Sequence, residues 1–200
     1  MDKLNKEWLN AGERLIHLSE STGAIKYGDF KLSSGKMSTY YFDGRLITLN
    51  PLGIQIVSSV FLPVLRILQA DSVAGPTIGA DPIIAALVLS SSYSDQGING
   101  LIVRKEIKKH GTSKLIEGNV TADCKVVIVD DTCSTGGSLI NAIDQVENEG
   151  CIVTGVLTIL DRNQGGREKI TGRGHKFASI LKVDSNERIF ATDIAPQLFN

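Results

Sequence analysis

Thirteen consecutive residues, Val126-Val127-Ile128-Val129-Asp130-Asp131-Thr132-Cys133-Ser134-Thr135-Gly136-Gly137-Ser138, carry the clearest chemical signal in this 200-residue chain. Four apolar residues in a row read as a strand buried on both faces. The strand delivers two adjacent carboxylates to its carboxyl end, and a loop of small and hydroxyl-bearing residues follows, opening a helix. Main-chain N–H groups at a helix start lack intrahelical partners, and the helix dipole is positive there. Glycines let the backbone come close to a phosphate, and hydroxyls add donors. The loop therefore suits a monophosphate. The aspartates suit vicinal sugar hydroxyls or a hydrated Mg²⁺. A lone Asp-Asp or Thr-Gly-Gly would be an ordinary strand–turn–helix corner; the complete string is more than that. There is no GxxxxGK[ST], which disfavours a nucleoside-triphosphate loop, and no GxGxxG, which leaves a dinucleotide fold without support.

A second segment, Arg104-Lys105-Glu106-Ile107-Lys108-Lys109-His110-Gly111, has five side chains out of eight that can be cationic. A basic segment ending in glycine suits a mobile lid over a polyanion. A pyrophosphate leaving a sugar carbon needs such charge neutralisation. The segment also fits a solvated charge run or a nucleic-acid patch, but no aromatic residues are interleaved to stack bases. In a third segment, Phe30-Lys31-Leu32-Ser33-Ser34-Gly35-Lys36-Met37-Ser38-Thr39-Tyr40-Tyr41-Phe42-Asp43, aromatics follow a Ser-Gly turn. Aromatic faces suit either a hairpin core or a flat heterocycle. Finally, Arg162 follows the apolar run Ile152–Leu160, where its planar fork could grip a carboxylate.

The string 126–138 resembles the phosphoribosyl-pyrophosphate signature of the type I phosphoribosyltransferases. The segment 104–111 resembles the catalytic loop of the orotate phosphoribosyltransferases, Arg-Lys-Glu-x-Lys-x-His-Gly, at all six fixed positions. The resemblance covers nearly the whole chain. It implies a single phosphoribosyltransferase domain over residues 1–200, with a parallel β-sheet core flanked by helices (about 50–185) and a small N-terminal hood (mainly 20–48). It implies transfer of a phosphoribosyl group from 5-phosphoribosyl 1-diphosphate to orotate. By resemblance, Asp130 and Asp131 meet the ribose hydroxyls, and Thr132, Cys133, Ser134, Thr135, Gly136, Gly137 and Ser138 wrap the 5′-phosphate. Arg104, Lys105, Lys108 and His110 grip the pyrophosphate, and these four with Asp131 form the catalytic set. Tyr41, Phe42, Ser134 and Arg162 meet orotate. Mg²⁺ is implied as cofactor, held mainly by the substrate diphosphate, with water-mediated contact to Asp130 or Asp131. A homodimer is implied, its basic loop shared across the interface. The stretch Gly75-Pro76-Thr77-Ile78-Gly79-Ala80-Asp81-Pro82 matches a turn that approaches pyrophosphate in the family, often through a non-proline cis peptide. Two positions depart: Ser33 and Gly79 stand where some members carry lysine. Two other functions compete with this one, a phosphoribosyltransferase for another base and a non-catalytic regulator that senses phosphoribosyl pyrophosphate. A purine would give Arg162 no carboxylate to hold, and a regulator would have no departing pyrophosphate to neutralise.

The elements that must position these residues follow from pattern. Leu4, Trp8, Ala11, Leu15 and Leu18 recur at helical spacing. Gly28–Ser33 and Ser38–Asp43 read as a hairpin or a small sheet lobe. Asn50-Pro51 is an N-cap followed by a first-turn proline, opening a helix to about Gln69. Thereafter strands at Ser72–Gly75, Gly100–Arg104, 126–129, Ile152–Leu160 and Phe177–Val183 alternate with helices at Pro82–Tyr93 and Ser138–Glu149, the latter ended by Gly150. Such alternation predicts an α/β fold with a parallel sheet whose strand-end loops share one edge. Lys plus Arg number 21 against 22 Asp plus Glu, for a net charge of −1, so nothing in bulk charge favours nucleic acid or an anionic membrane. Three cysteines without a CxxC pair point away from a disulfide framework and toward a reducing cytoplasm. The charged start of the chain does not read as a signal peptide, and no apolar run is long enough to span a membrane.

Overall fold

A computed structural model gives the fold and describes residues 2–31, 37–94, 96–106 and 115–198. Helix α1 (Asp2–Thr22) leads into a hairpin of β1 (Ile25–Lys31) and β2 (Met37–Phe42). Then come α2 (Arg45–Thr48), α3 (Pro51–Ile67), β3 (Ser72–Pro76), α4 (Asp81–Ser91), β4 (Asn99–Val103) and β5 (Ile116–Glu117). The chain continues through β6 (Lys125–Cys133), α5 (Gly137–Asn148), β7 (Ile152–Asp161), α6 (Gly166–Thr171), β8 (Phe177–Val183), β9 (Ile189–Ala191) and α7 (Ala195–Leu198).

Among the described residues the main sheet runs β5-β4-β3-β6-β7-β8-β9. The pairings from β4 to β8 are parallel, while β5 and β9 close the two edges antiparallel. The parallel centre is the expected one. The two edge strands were not foreseen, because two or three residues are too few to show a period of their own. The continuous apolar run of β6 is explained by its surroundings. Val127 and Val129 join one buried cluster, with α1, α3 and α4, while Val126 and Ile128 join another, under α5 and α6. All four are fully buried, as a strand covered on both faces requires.

Local chemistry sets the element ends. Asn50 Oδ1 accepts from the N–H of Leu52 at 2.9 Å and of Gly53 at 3.2 Å, capping α3 ahead of Pro51. Gly150 takes φ +82 just beyond α5. The hairpin begins earlier than its pattern suggests: Gly28, read as a strand start, sits inside β1 at a register shift between Tyr27 and Phe30. A glycine inside a strand marks a bulge, and this one has φ +150.

The chain is closed on itself by α1. Trp8, fully buried, stacks on Phe61 with ring centroids 5.9 Å apart and donates from Nε1 to Thr192 Oγ1 at 3.3 Å. Asn5 accepts from the Ile194 N–H at 2.9 Å and donates to Asp193 at 2.8 Å. No helix among the described residues is long and apolar enough to cross a membrane.

Candidate active site

The carboxyl ends of β3, β4, β6 and β7 share one edge of the sheet, and two adjoining cavities open there. One, of about 250 Å³, is lined by Asp130 and by the loop from Thr132 to Leu139. The first hydrogen bond within α5 runs from the Ile140 N–H to the Gly136 carbonyl, at 2.8 Å. The N–H groups of Gly137, Ser138 and Leu139 therefore precede the helical ladder, and no side chain caps them. Gly136 reaches φ +81 at this start, a conformation that favours glycine. The loop is braced from outside: the Gly166 N–H donates to the Ser134 carbonyl at 3.0 Å, and Lys169 Nζ to that of Thr135 at 3.2 Å.

The second cavity, about 270 Å³, is lined by Phe42, Gly44, Arg45, the turn 76–79, Lys105, Asp130 and Asp131, among others. Its floor is the acid pair. Burial and then the neighbouring Asp131 charge push the Asp130 carboxyl up to about 8, and burial raises Asp131 as well. Thr132 Oγ1 donates to Asp131 Oδ1 at 3.0 Å, and the Asp131 N–H to Asp130 Oδ1 at 2.9 Å. Both contacts hold the ionised forms, yet burial outweighs them. Two glycines make the close approach possible. A Cβ at Gly79 would lie 2.5 Å from Asp130 Oδ1 and 2.8 Å from Asp131 Oδ1, and one at Gly44 would lie 2.6 Å from Asp131 Oδ2. The lysine that some family members carry at position 79 thus finds no room here without a shift of main chain or carboxylate. The Thr77–Ile78 peptide beside it is cis.

Of the four basic residues, Arg104 and Lys105 are described. Arg104 leaves β4 with its N–H on the Leu115 carbonyl, and its Nη1 lies 3.4 Å from Glu117 Oε1 on β5. Lys105 reaches the second cavity. Lys108 and His110 lie outside the described residues, as does Ser33.

The predicted base-contacting residues divide. Alternation along β2 buries Ser38, Tyr40 and Phe42 and exposes Tyr41, whose ring lies 5.8 Å from that of Phe30. Phe42 lines the second cavity. Arg162 follows β7, its N–H on the Cys133 carbonyl at 2.8 Å, and its Nε donates to Tyr40 Oη at 2.9 Å. Its Nη2 is sealed from solvent and has no hydrogen-bond partner among the described residues. Ser134 belongs to the first cavity, next to Cys133, whose thiol burial pushes up to about 12 and keeps protonated.

Sequence reasoning passed over Tyr40, Arg45 and Lys169. Arg45 grips Asp43, with Nε to Oδ1 at 2.9 Å, and its charge reaches Asp131. The run Asp43-Gly44-Arg45 directly after the paired aromatics was the available signal. Lys169 offered none, since its role depends on a strand-to-helix turn far away in the chain. Among the described residues no group of three or more His, Cys, Asp or Glu side chains could hold a metal ion by itself.

The phosphoribosyl transferase domain family matches residues 82–187. An orotate phosphoribosyltransferase of Synechocystis sp. is 40% identical over 177 residues, spanning 88% of each chain. One of Pyrococcus horikoshii is 39% identical over 173 residues, 86% of this chain and 90% of the other. The crystal structure of Mycobacterium tuberculosis orotate phosphoribosyltransferase in complex with 5-phospho-α-D-ribosyl 1-diphosphate superposes with a TM-score of 0.70 at 28% identity, covering 88% of this chain and 96% of that one.

Proposed function

The chain belongs to the orotate phosphoribosyltransferases of the phosphoribosyl transferase family, and from that premise we infer how its residues share the reaction. It transfers the phosphoribosyl group of 5-phosphoribosyl 1-diphosphate to orotate, forming orotidine 5′-monophosphate and diphosphate in pyrimidine biosynthesis. The observation that carries the division of labour is the convergence, on one sheet edge, of a helix start without a side-chain cap, a buried acid pair and an arginine fork whose buried Nη2 has no partner among the described residues.

The 5′-phosphate sits at the start of α5, where the N–H groups of residues 137–139 and the hydroxyls of Thr132, Ser134, Thr135 and Ser138 supply donors. Asp130 and Asp131 accept from the ribose hydroxyls and fix the sugar. Its anomeric carbon then faces the second cavity. Displacement there passes through an oxocarbenium-like transition state with charge growing on the leaving diphosphate. Arg104, Lys105, Lys108 and His110 neutralise that charge. Arg162 takes the orotate carboxylate, and Tyr41 and Phe42 flank the ring. Orotate is already an anion near neutral pH, so no strong protein base is required. The acid pair fits Mg²⁺ that arrives on the diphosphate, with Asp130 or Asp131 reaching it through water. When bound, the ion supplies charge neutralisation on the leaving group.

We assign a homodimer in which the basic loop of one subunit serves the active site of the other. In support, apolar side chains stand exposed at Leu49, Leu52 and Leu89, and a groove of about 420 Å³ runs between α3 and α4 past Leu62 and Pro63. The three cysteines are free thiols, which suits a cytoplasmic setting.

The direct test mixes purified protein with 5-phosphoribosyl 1-diphosphate and Mg²⁺ and follows loss of orotate absorbance, with uracil, adenine and hypoxanthine in parallel. Turnover of orotate alone is expected. Turnover of a purine would overturn the carboxylate role of Arg162. Within an active enzyme, Lys108→Ala should lower kcat about 10²-fold, as loss of one transition-state donor does. A change under about twofold removes Lys108 from the catalytic set.

A further inference from the structure

Arginine can present two edges to a carboxylate, Nε with one terminal nitrogen or the two terminal nitrogens together. In this molecule the choice is already made. Arg162 Nε is committed to Tyr40 Oη at 2.9 Å, and the guanidinium carbon lies 5.0 Å from the Tyr40 ring centroid. What remains is the end of the fork, where Nη2 is buried and without a partner among the described residues. Tyr40 is 2% exposed, and burial keeps its hydroxyl protonated well above neutral pH. It therefore meets Arg162 as a fixed, neutral acceptor.

Tyr40 is in turn held by its neighbour. The Thr39 N–H donates to Glu187 Oε2 at 2.7 Å, and the Thr39 hydroxyl donates to the same oxygen. Glu187 stands in the turn between β8 and β9, with φ +58, in the left-handed region that favours glycine. Asp184 fixes that turn: its Oδ1 accepts from the N–H of Asn186 and of Arg188, each at 2.8 Å. The contact joins β2 of the hairpin to the far edge of the main sheet, across 148 positions of chain.

We propose that Tyr40 is a positioning residue for Arg162, and that a latch between Thr39 and Glu187 holds it, so that the β8–β9 turn sets which edge of the arginine meets the substrate carboxylate. The inference rests on the reading that Arg162 receives the carboxylate of orotate. It adds that discrimination between carboxylated and plain pyrimidines depends on Tyr40, Thr39 and Glu187, residues given no contact with either substrate.

The test uses the full-length enzyme. Tyr40→Phe keeps the ring and removes the acceptor; Glu187→Ala opens the latch. Steady-state kinetics with both substrates varied are read beside inhibition by uracil, which lacks the carboxylate. Tyr40→Phe should raise KM for orotate about tenfold, the scale of a lost hydrogen bond to a charged group. The kcat, the KM for 5-phosphoribosyl 1-diphosphate and the uracil inhibition constant should stay within about twofold by the same argument. Glu187→Ala should raise KM for orotate less, and the double variant should be no worse than Tyr40→Phe alone, because both act through one contact. Additive effects, or equal weakening of orotate and uracil, overturn the proposal. Arg162→Ala separates the two layers. If it leaves KM for orotate unchanged, the carboxylate reading itself has failed. If it raises that KM strongly while Tyr40→Phe does not, only the positioning role falls.

Discussion

Between Thr132 and Ser138 the site is made mostly of main chain, shaped by one uninterrupted stretch of sequence; at the β1–β2 hairpin it is made of side chains that reach across the molecule. The first region hangs on a strand buried on both faces and a helix start that no side chain among the described residues caps. Its parts are neighbours in sequence, so any phosphate it binds is read by backbone geometry. The second is a two-stranded pairing outside the main sheet; a hairpin alone is marginally stable in water, and this one is anchored through Ile25, Tyr40 and Phe42 in the core. Tyr40 meeting Arg162, 122 positions away, and Thr39 meeting Glu187 tie it further. A backbone site tolerates changes of side chain but not of space. A side-chain site tolerates changes of space but not of partner.

The largest effect should come from crowding the first region. A Cβ at Gly166 would lie 2.5 Å from Cys133 Sγ, 2.6 Å from the Ser134 carbonyl and 2.7 Å from the Gly136 nitrogen. Gly166→Ala should therefore displace the loop and lower kcat/KM for 5-phosphoribosyl 1-diphosphate about 10²-fold, the scale of a misplaced substrate. Stability should fall by about 1–3 kcal/mol. Unchanged kinetics would mean that the cradle is less rigid than its packing.

A pH experiment sharpens the same side of the comparison. The Asp130 carboxyl is raised to about 8 in the folded chain, against about 3.9 for an ordinary aspartate. Between those values the folded state binds more protons than the unfolded one, so the stability of the free protein falls as pH rises from about 4 to about 8. Asp130→Asn should remove much of that slope, raising the melting temperature of the free protein at pH 8 while leaving it near the parent's at pH 4. Parallel melting curves for parent and variant would show that the pair is ionised throughout.

The smallest effect belongs to the hairpin. Tyr41 shares its face with Phe30, opposite Tyr40 and Phe42. Tyr41→Leu should raise KM for orotate about threefold, within the range of an aromatic contact, and leave the other substrate untouched. No change in either KM would make Tyr41 a partner of Phe30 alone.

The same contrast explains what could be read from residues in advance. The parallel sheet, the N-cap at Asn50, the turn at Gly150 and the acid-bearing loop are local, and local propensity agrees with the final fold at each of them. The edge strands β5 and β9, the bulge at Gly28 and the bracing of the loop by Gly166 and Lys169 exist because of neighbours distant in sequence. Along Tyr40-Tyr41-Phe42 a pattern shows that alternate residues share a face, but which face meets Arg162 is decided by pairing and register.

The closure of α1 onto β9 has a kinetic consequence. Trp8 finds Thr192 across 184 positions, and contacts of such separation form slowly because a long loop must close before they return any stabilisation. During synthesis α1 finds α3 first, through Trp8 on Phe61, and its contact with β9 forms only after that strand has been made. Trp8 is the chain's single tryptophan, and it lies at that seam. Its fluorescence therefore reports two events in turn, the packing of α1 on α3 and the later docking of β9 against it.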